Sequence, residues 1–278
     1  MIIVNMNGQL GNQMFQYAVY RKLQLQGKKV KMDMRYYDKY PHHNHFPIFG
    51  LPIEVATIKD CQIERDEYRS YIDRFRRKFF GKRQNIVSEI NSDKHEYQPA
   101  IFELKRGYVD GYWQSAKYFE GIEDVLREEF KFPKPSHNKN DVLIEEMRNS
   151  CSVSIHVRRG DYLGGFPVMD MSYYTPAMQF IKEKYKNAHF YVFSNDIVWC
   201  REHFVGEEFT FVDWNTGTDS YYDMYMMSQC KHNIIGNSSF SWWAAWLNAN
   251  NDKVVIAPSI WFKKVKTPDI YMKDWIVI

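Results

Sequence analysis

Residues 154–162 read SIHVRRGDY, and this stretch decides the fold class. Val153, Ile155 and Val157 alternate on one side of an extended run, so His156 and Arg158 share the other. The run ends on two arginines, a glycine and an aspartate, which places polar groups where a buried strand gives out. Working outward, strands are expected at 153–157, 190–193, 209–212, 234–235 and 254–256, with helices between them at 174–185, 197–204, 220–230 and 240–247. Strict alternation of this kind predicts a parallel sheet flanked by helices. FYVF at 190–193 and KVVIA at 253–257 are apolar without alternation, as strands covered on both faces are.

The first half opens in the same way, with a strand at 2–5, a helix from about Asn12 to Gln26 and a strand in KKVKMD at 28–33. Residues 36–52, rich in aromatics, His and Pro, are expected as a long loop. Regular structure returns in YVDGYW at 108–113 and in the amphipathic SAKYFEGIEDVLREEF at 115–130. A chain of 278 residues fits two domains at roughly 100 to 200 residues each. The Pro- and Lys-rich stretch 132–141 is the linker candidate, so the expected division is 1–138 and 139–278.

Thirty-seven Lys plus Arg against 34 Asp plus Glu leave a formal charge of +3, so an anionic partner must be met by local clusters rather than a global field. With 45% hydrophobic residues and a mean hydropathy of −0.54, the composition is that of a soluble chain with substantial cores. Cys61, Cys151, Cys200 and Cys230 lack CxxC spacing, which argues against a zinc site and a disulfide framework and for a reducing compartment. Met1 runs directly into IIVNM without the apolar core of a signal peptide, and no stretch of about 18 apolar residues occurs. The expected location is the cytoplasm, with peripheral contact at the inner face of the cell membrane left open.

In open α/β sheets ligands bind at the carboxyl ends of the strands. Those ends carry Arg158, Arg159 and Asp161, then Ser194, Asn195 and Asp196, then Asn237, Ser238 and Ser239. GNSSFSWWAAW, 236–246, passes through Gly236 into a helix capped by Ser238 or Ser239, and the amides and dipole of a helix N-terminus favour a phosphate. Arg158 is the natural partner on the other side of such a group, because a guanidinium donates to two phosphate oxygens at once. Arg159 points to the opposite face and is expected to hold the loop through a carboxylate, Asp161 being the nearest in sequence. An ion-paired strand end explains RRGD by itself about as well as a binding role does.

Near the start, NGQLGNQMFQYA places Gly8 and Gly11 in a turn, with neither GxGxxG nor GxxxxGK. A tight turn before an amphipathic helix using Met14, Ala18 and Leu25 accounts for it, although Asn12 and Gln13 are placed to offer amides to phosphate or sugar hydroxyls. No DxD occurs, so no metal is expected and the positive charge must come from side chains. His42, His43 and His45 lack acidic or Cys partners nearby and are expected to meet solvent or acceptors, and Trp242, Trp243 and Trp246 at helical spacing are expected in the core. RSYIDRFRRKFFGKR, 69–83, mixes seven basic residues with Ile72, Phe75 and Phe79 at helical spacing. A solvated helix face, an anionic membrane surface and nucleic acid all fit that composition; without a recognition motif, nucleic acid ranks last.

Taken together, GQLGNQMFQYA, YVDGYWQSAKYF, SIHVRRGDY, FYVFSND and NIIGNSSFSWWAAWLN closely resemble the glycosyltransferase family 11 α-1,2-fucosyltransferases, in order and over nearly the whole chain. The resemblance implies two Rossmann-like domains of the GT-B type with the donor cleft between them, an N-terminal acceptor side and a C-terminal donor side. It implies inverting, metal-independent transfer of L-fucose from GDP-β-L-fucose to the 2-hydroxyl of a terminal galactose, on an oligosaccharide or a lipid-linked glycan. More distant α-1,6 and protein O-linked fucosyltransferases share the His-x-Arg-Arg pattern, which implies Arg158 on the β-phosphate and His156 beside the nucleotide. Those relatives read guanine with an acidic residue sixteen positions before the phosphate-binding serine, the spacing of Asp223 and Ser239 here. Gly11 and Asn12 would face the donor, and Asp196 joins the donor contacts at the strand ends. After HVRRGDY the chain runs LGGFPVM, where an acidic residue is expected in the α-1,6 enzymes, so the base stays open between Asp161 and the departing phosphate. The competing functions are a transferase for another GDP-sugar and a non-catalytic glycan- or nucleotide-binding module.

Overall fold

In the computed structural model, residues 1–81, 85–89, 92, 94–134 and 138–278 are described, Asp161 by its backbone alone. The chain forms two units, Met1–Phe130 with Pro268–Ile270, and Lys131–Thr267 with Tyr271–Ile278. In the first, β1 (Ile2–Asn5), β2 (Val30–Asp33), β3 (Ile86–Ser88) and β4 (Gly107–Asp110) form a parallel sheet in the order β2-β1-β4-β3. Helix Leu10–Leu25 buries Met14, Phe15, Ala18 and Leu23, whereas Leu25 is about half exposed and lies off the core face.

The second unit holds β5 (Cys151–Val157), β6 (Ala188–Ser194), β7 (Phe209–Val212), β8 (His232–Ile234), β9 (Val255–Ala257) and β10 (Ile276–Val277). All pairs are parallel, in the order β10-β9-β8-β5-β6-β7. Numbered from β5 this is 3-2-1-4-5-6, the Rossmann order, and the direction of winding reverses between β5 and β8. Both units are therefore Rossmann-like. Val153, Ile155 and Val157 pack with Tyr174, Ala177, Ile181, Val192, Ile234 and Ile256. Trp242 and Trp243 are fully buried and Trp246 nearly so, as their helical spacing predicts.

The expected division at 138/139 moves to 130/131. Phe132 stacks on Tyr221 with ring centres 6.2 Å apart, and the Tyr222 hydroxyl donates to the Lys134 carbonyl at 3.0 Å, so the supposed linker packs onto the second unit. Helix Asn138–Asn149 begins inside it. The expected loop 36–52 instead coils into short helices at Tyr36–Lys39, Pro41–His43 and Phe46–Phe49, because Tyr36, Tyr37, Tyr40 and His43 pack ring against ring. Among the described residues no helix is long and apolar enough to cross a membrane.

Candidate active site

The site grows from the polar face of β5. Ser154 Oγ accepts from Asn233 Nδ2 at 2.8 Å, and Asn233 Oδ1 accepts from Asn248 Nδ2 at 2.8 Å. Buried polar groups that are satisfied in this way lock β5, β8 and the end of the following helix into one arrangement. His156 does not stand open at the strand end, as alternation alone suggested: it is 5% exposed, with its ring 5.7 Å from that of Phe240. Burial, helped by the charge of Arg158, pushes its imidazole down to about 3, so the ring is neutral at physiological pH. Its Nδ1 is buried without a hydrogen-bond partner among the described residues.

Gly236 lies at a close approach of two backbone segments. A Cβ there would sit 3.1 Å from the His156 carbonyl oxygen and 3.9 Å from the Arg158 amide nitrogen. Of the two candidate caps, Ser238 is the one used: its Oγ accepts from the Phe240 amide at 3.3 Å, and Ser239 is the first residue of helix Ser239–Leu247. Arg158 is the first residue beyond β5, with its guanidinium 5.6 Å from the Tyr162 ring, and the Tyr162 hydroxyl donates to the Asn237 carbonyl at 3.3 Å. Asn237 Nδ2 donates in turn to the Pro167 and Trp261 carbonyls. The switch point between β5 and β8 thus brings a fixed cation beside a helix N-terminus, two groups that favour an anion.

Arg159 supports the loop, as expected, and among the described side chains the carboxylate it meets is Asp196. Its Nε lies 3.3 Å from Asp196 Oδ2 and its guanidinium 4.2 Å over the Trp199 ring, while Asp196 Oδ1 accepts from the Trp199 amide at 3.3 Å and caps helix Ile197–His203. Both oxygens of Asp196, expected among the donor contacts, are therefore engaged within the protein, because a residue that starts a helix also meets the arginine facing it. The backbone of Asp161 lies in the 3-10 turn Gly160–Gly164; its side chain lies outside the described residues.

Asp223 sits in the first turn of helix Tyr221–Gln229, which packs against helix Ser239–Leu247. It accepts from Asn215 Nδ2 at 2.8 Å, Asn215 Oδ1 accepts from Asn140, and Asn140 Oδ1 accepts from Trp214 Nε1 at 2.7 Å. Burial raises the Asp223 carboxyl to about 7, against the lowering effect of Asn215. Sequence reasoning missed Asn140 and Asn215. Asn140 shares an inward face with Leu143, Ile144 and Met147, and that spacing was the available signal.

The remaining expected residues lie in the first unit. Gly8 adopts a positive φ of 75°, and a Cβ there would lie 2.6 Å from Asn12 Nδ2. Asn12 Oδ1 accepts from Gln114 Nε2 at 2.8 Å, and Gly11 is buried in the first turn of helix Leu10–Leu25. Gln13 is a staple: fully buried, it donates to the Gly8 and His43 carbonyls and the Tyr37 hydroxyl. At the strand ends, Asn5 Nδ2 donates to Asp110 Oδ1 at 2.7 Å, and Glu89 Oε2 accepts from the Tyr112 and Trp113 amides at 2.9 Å each.

The model of glycosyl transferase family 11 matches residues 1–278, the whole chain. The chain belongs to this family. An α-1,2-colitosyltransferase of Escherichia coli is 32% identical over 277 residues, covering 95% of this chain and 93% of that protein. The E. coli O-antigen biosynthesis glycosyltransferase WbnK is 30% identical, covering 98% of each. Human galactoside α-(1,2)-fucosyltransferase 1 is 26% identical, covering 98% of this chain and 73% of that protein. This family 11 chain is accordingly a glycosyltransferase of fucosyltransferase-like type.

Proposed function

We propose that this family 11 protein transfers L-fucose from GDP-β-L-fucose to the 2-hydroxyl of a terminal galactose, with inversion and without a metal. The observation that carries the proposal is that β5 runs out at Arg158 and β8 leads into the N-terminus of helix Ser239–Leu247, on the two sides of the β5/β8 switch point. Cleaving the bond between fucose and GDP puts negative charge on the β-phosphate, and fixed positive groups that bind it more strongly in the transition state lower the barrier. Arg158, with Ser238 and Ser239 at the helix start, takes that role. Asp223 accepts from guanine N1–H and N2–H, which distinguishes GDP from adenine and uracil nucleotides. His156, neutral and buried, braces the strand end beside the nucleotide, and Asp196 positions the loop through Arg159. The first unit supplies the acceptor side.

The attacking hydroxyl must lose a proton as the new glycosidic bond forms. Asp161, the carboxylate of the RRGD turn, is the proposed base, and the leaving phosphate is the acceptor if no side chain serves. Incubation with GDP-fucose and a panel of galactosides, followed by linkage analysis, tests the whole assignment. GDP release with an α-1,2-fucosyl product supports it; tight GDP binding with no transfer to any acceptor would leave a binding module.

A second donor is favoured by the colitosyltransferase relative. Colitose is fucose without its 3-hydroxyl, so GDP-colitose would meet the same diphosphate and guanine contacts. A pocket that hydrogen-bonds the 3-hydroxyl rejects the deoxy sugar by roughly 10⁴-fold, whereas an apolar pocket rejects the extra hydroxyl by only about 10²-fold. Ratios of kcat/KM for the two donors separate the alternatives.

A further inference from the structure

Helix Tyr71–Phe80 in the first unit is built inside out. A surface helix ordinarily turns its apolar stripe to the core and its charges to water. Here Tyr71 is 90% exposed, Ile72 82%, Phe75 64% and Phe79 61%, and none of the helix's residues is buried. The charged side faces the protein instead. Arg76 pairs with the carboxylate of Asp66, itself almost fully buried, and Arg77 donates to the backbone carbonyls of Asp66 at 2.9 Å and Tyr68 at 2.8 Å. Ser70 caps the helix by accepting from the Asp73 amide at 3.0 Å, so Asp73, its one acidic residue, is held at the N-terminus. The helix is fastened by ionic hydrogen bonds with its aromatic stripe facing outward.

The charges that remain on the outside share one sign. Arg69, Arg74 and Lys78 are exposed around the stripe, and Lys82 and Arg83 follow in the sequence. Phe75 and Phe79 stand ring to ring with centres 4.4 Å apart, a continuous apolar ridge rather than isolated side chains. A second copy of this chain is a poor occupant, because joining two such faces would bring like charges together. An anionic bilayer surface complements both features: the aromatic ridge enters the boundary of headgroups and acyl chains, and the flanking cations meet lipid phosphates.

We propose that helix Tyr71–Phe80 docks this protein on an anionic membrane surface, apolar ridge inward, without crossing it. Docking is independent of which sugar is transferred, so the two proposals fail separately.

The test is flotation of the full chain with vesicles of phosphatidylcholine containing about a third phosphatidylglycerol, against phosphatidylcholine alone. The parent is expected to float with the anionic vesicles, and F75S/F79S to lose at least about tenfold in partitioning. R74Q/K78Q should lose about 25-fold, at roughly fivefold per cation, with binding that weakens as salt rises. Because these side chains are exposed, both variants should keep the parent's thermal midpoint and its transfer to a soluble galactoside. Failure of the parent to float, or flotation indifferent to F75S/F79S, overturns the proposal. So does a concentration-dependent dimer in sedimentation that F75S/F79S dissolves while the parent leaves the vesicles untouched.

Discussion

The two units end their parallel strands on side chains of different charge. In the second, β5 runs out at Arg158 and Arg159 and β8 leads into the N-terminus of helix Ser239–Leu247. In the first, β1, β2 and β4 end on Asn5, Asp33 and Asp110, and Glu89 follows β3, pushed up to about 7 by burial against two amide donors. The backbone scaffold is similar, yet one edge offers the guanidinium of Arg158 and the other carboxylates and amides, with Asp33 held in an ion pair by Arg35. Fixed positive charge suits a diphosphate, whereas carboxylates and amides suit the uncharged hydroxyls of a sugar. The difference teaches that in a repeated α/β scaffold the residues just past the strands, rather than the strands, divide the labour.

The sharpest way to break this comparison is Arg158→Ala. It should remove about 2 to 4 kcal/mol of transition-state stabilisation, roughly 30- to 1,000-fold in kcat/KM. Activity within a few-fold of the parent would mean that the charged edge does not hold the leaving group. Asp223→Asn should weaken GDP binding by about 1 to 3 kcal/mol and relax base choice. The same residue sets a pH dependence. With its carboxyl at about 7 in the free protein, guanine must meet the ionised form, so GDP affinity should rise as pH increases through 7 and flatten above it. Calorimetric titration across pH 5.5 to 8.5 (roughly one and a half units on either side of that value) checks this, and the slope should vanish in Asp223→Asn.

Gly236→Ala brings a methyl group to 3.1 Å from the His156 carbonyl oxygen. Overpacking of that kind should cost about 1 to 3 kcal/mol of stability, read as a lower midpoint in urea unfolding, and loosen GDP binding. On the other edge, Asp110→Asn should raise the acceptor KM by about two- to twelvefold, the worth of one hydrogen bond, while GDP affinity stays unchanged. Equal loss on both substrates would erase the distinction between the edges. The smallest effect expected is none: turnover should survive EDTA, since side chains supply the positive charge.

Much of the fold was legible because buried parallel strands are continuous apolar runs. FYVF and KVVIA lie in β6 and in and around β9. What stayed hidden depended on partners distant in sequence. β3 and β10 are three and two residues long, too short for any periodicity. Helix Asn138–Asn149 was hidden by a polar start whose Asn140 is buried through hydrogen bonds to Trp214 and Asn215. The site was legible where chemistry is local, as in the Gly-Asn-Ser-Ser entry to a helix. It was illegible where the partner lies far along the chain, since Arg159 pairs with Asp196, thirty-seven residues away.

The sequence by itself determined the alternation of strands and helices, the family, and the cluster of arginines and serines at strand ends, because periodicity, turn chemistry and motif are written in neighbouring residues. Only the tertiary structure decided that β8 lies beside β5, that His156 is buried and neutral, that Asp196 holds Arg159, and that helix Tyr71–Phe80 faces its aromatics outward. Each of these depends on which groups meet across long stretches of chain and how far water is excluded from them, and local sequence carries neither.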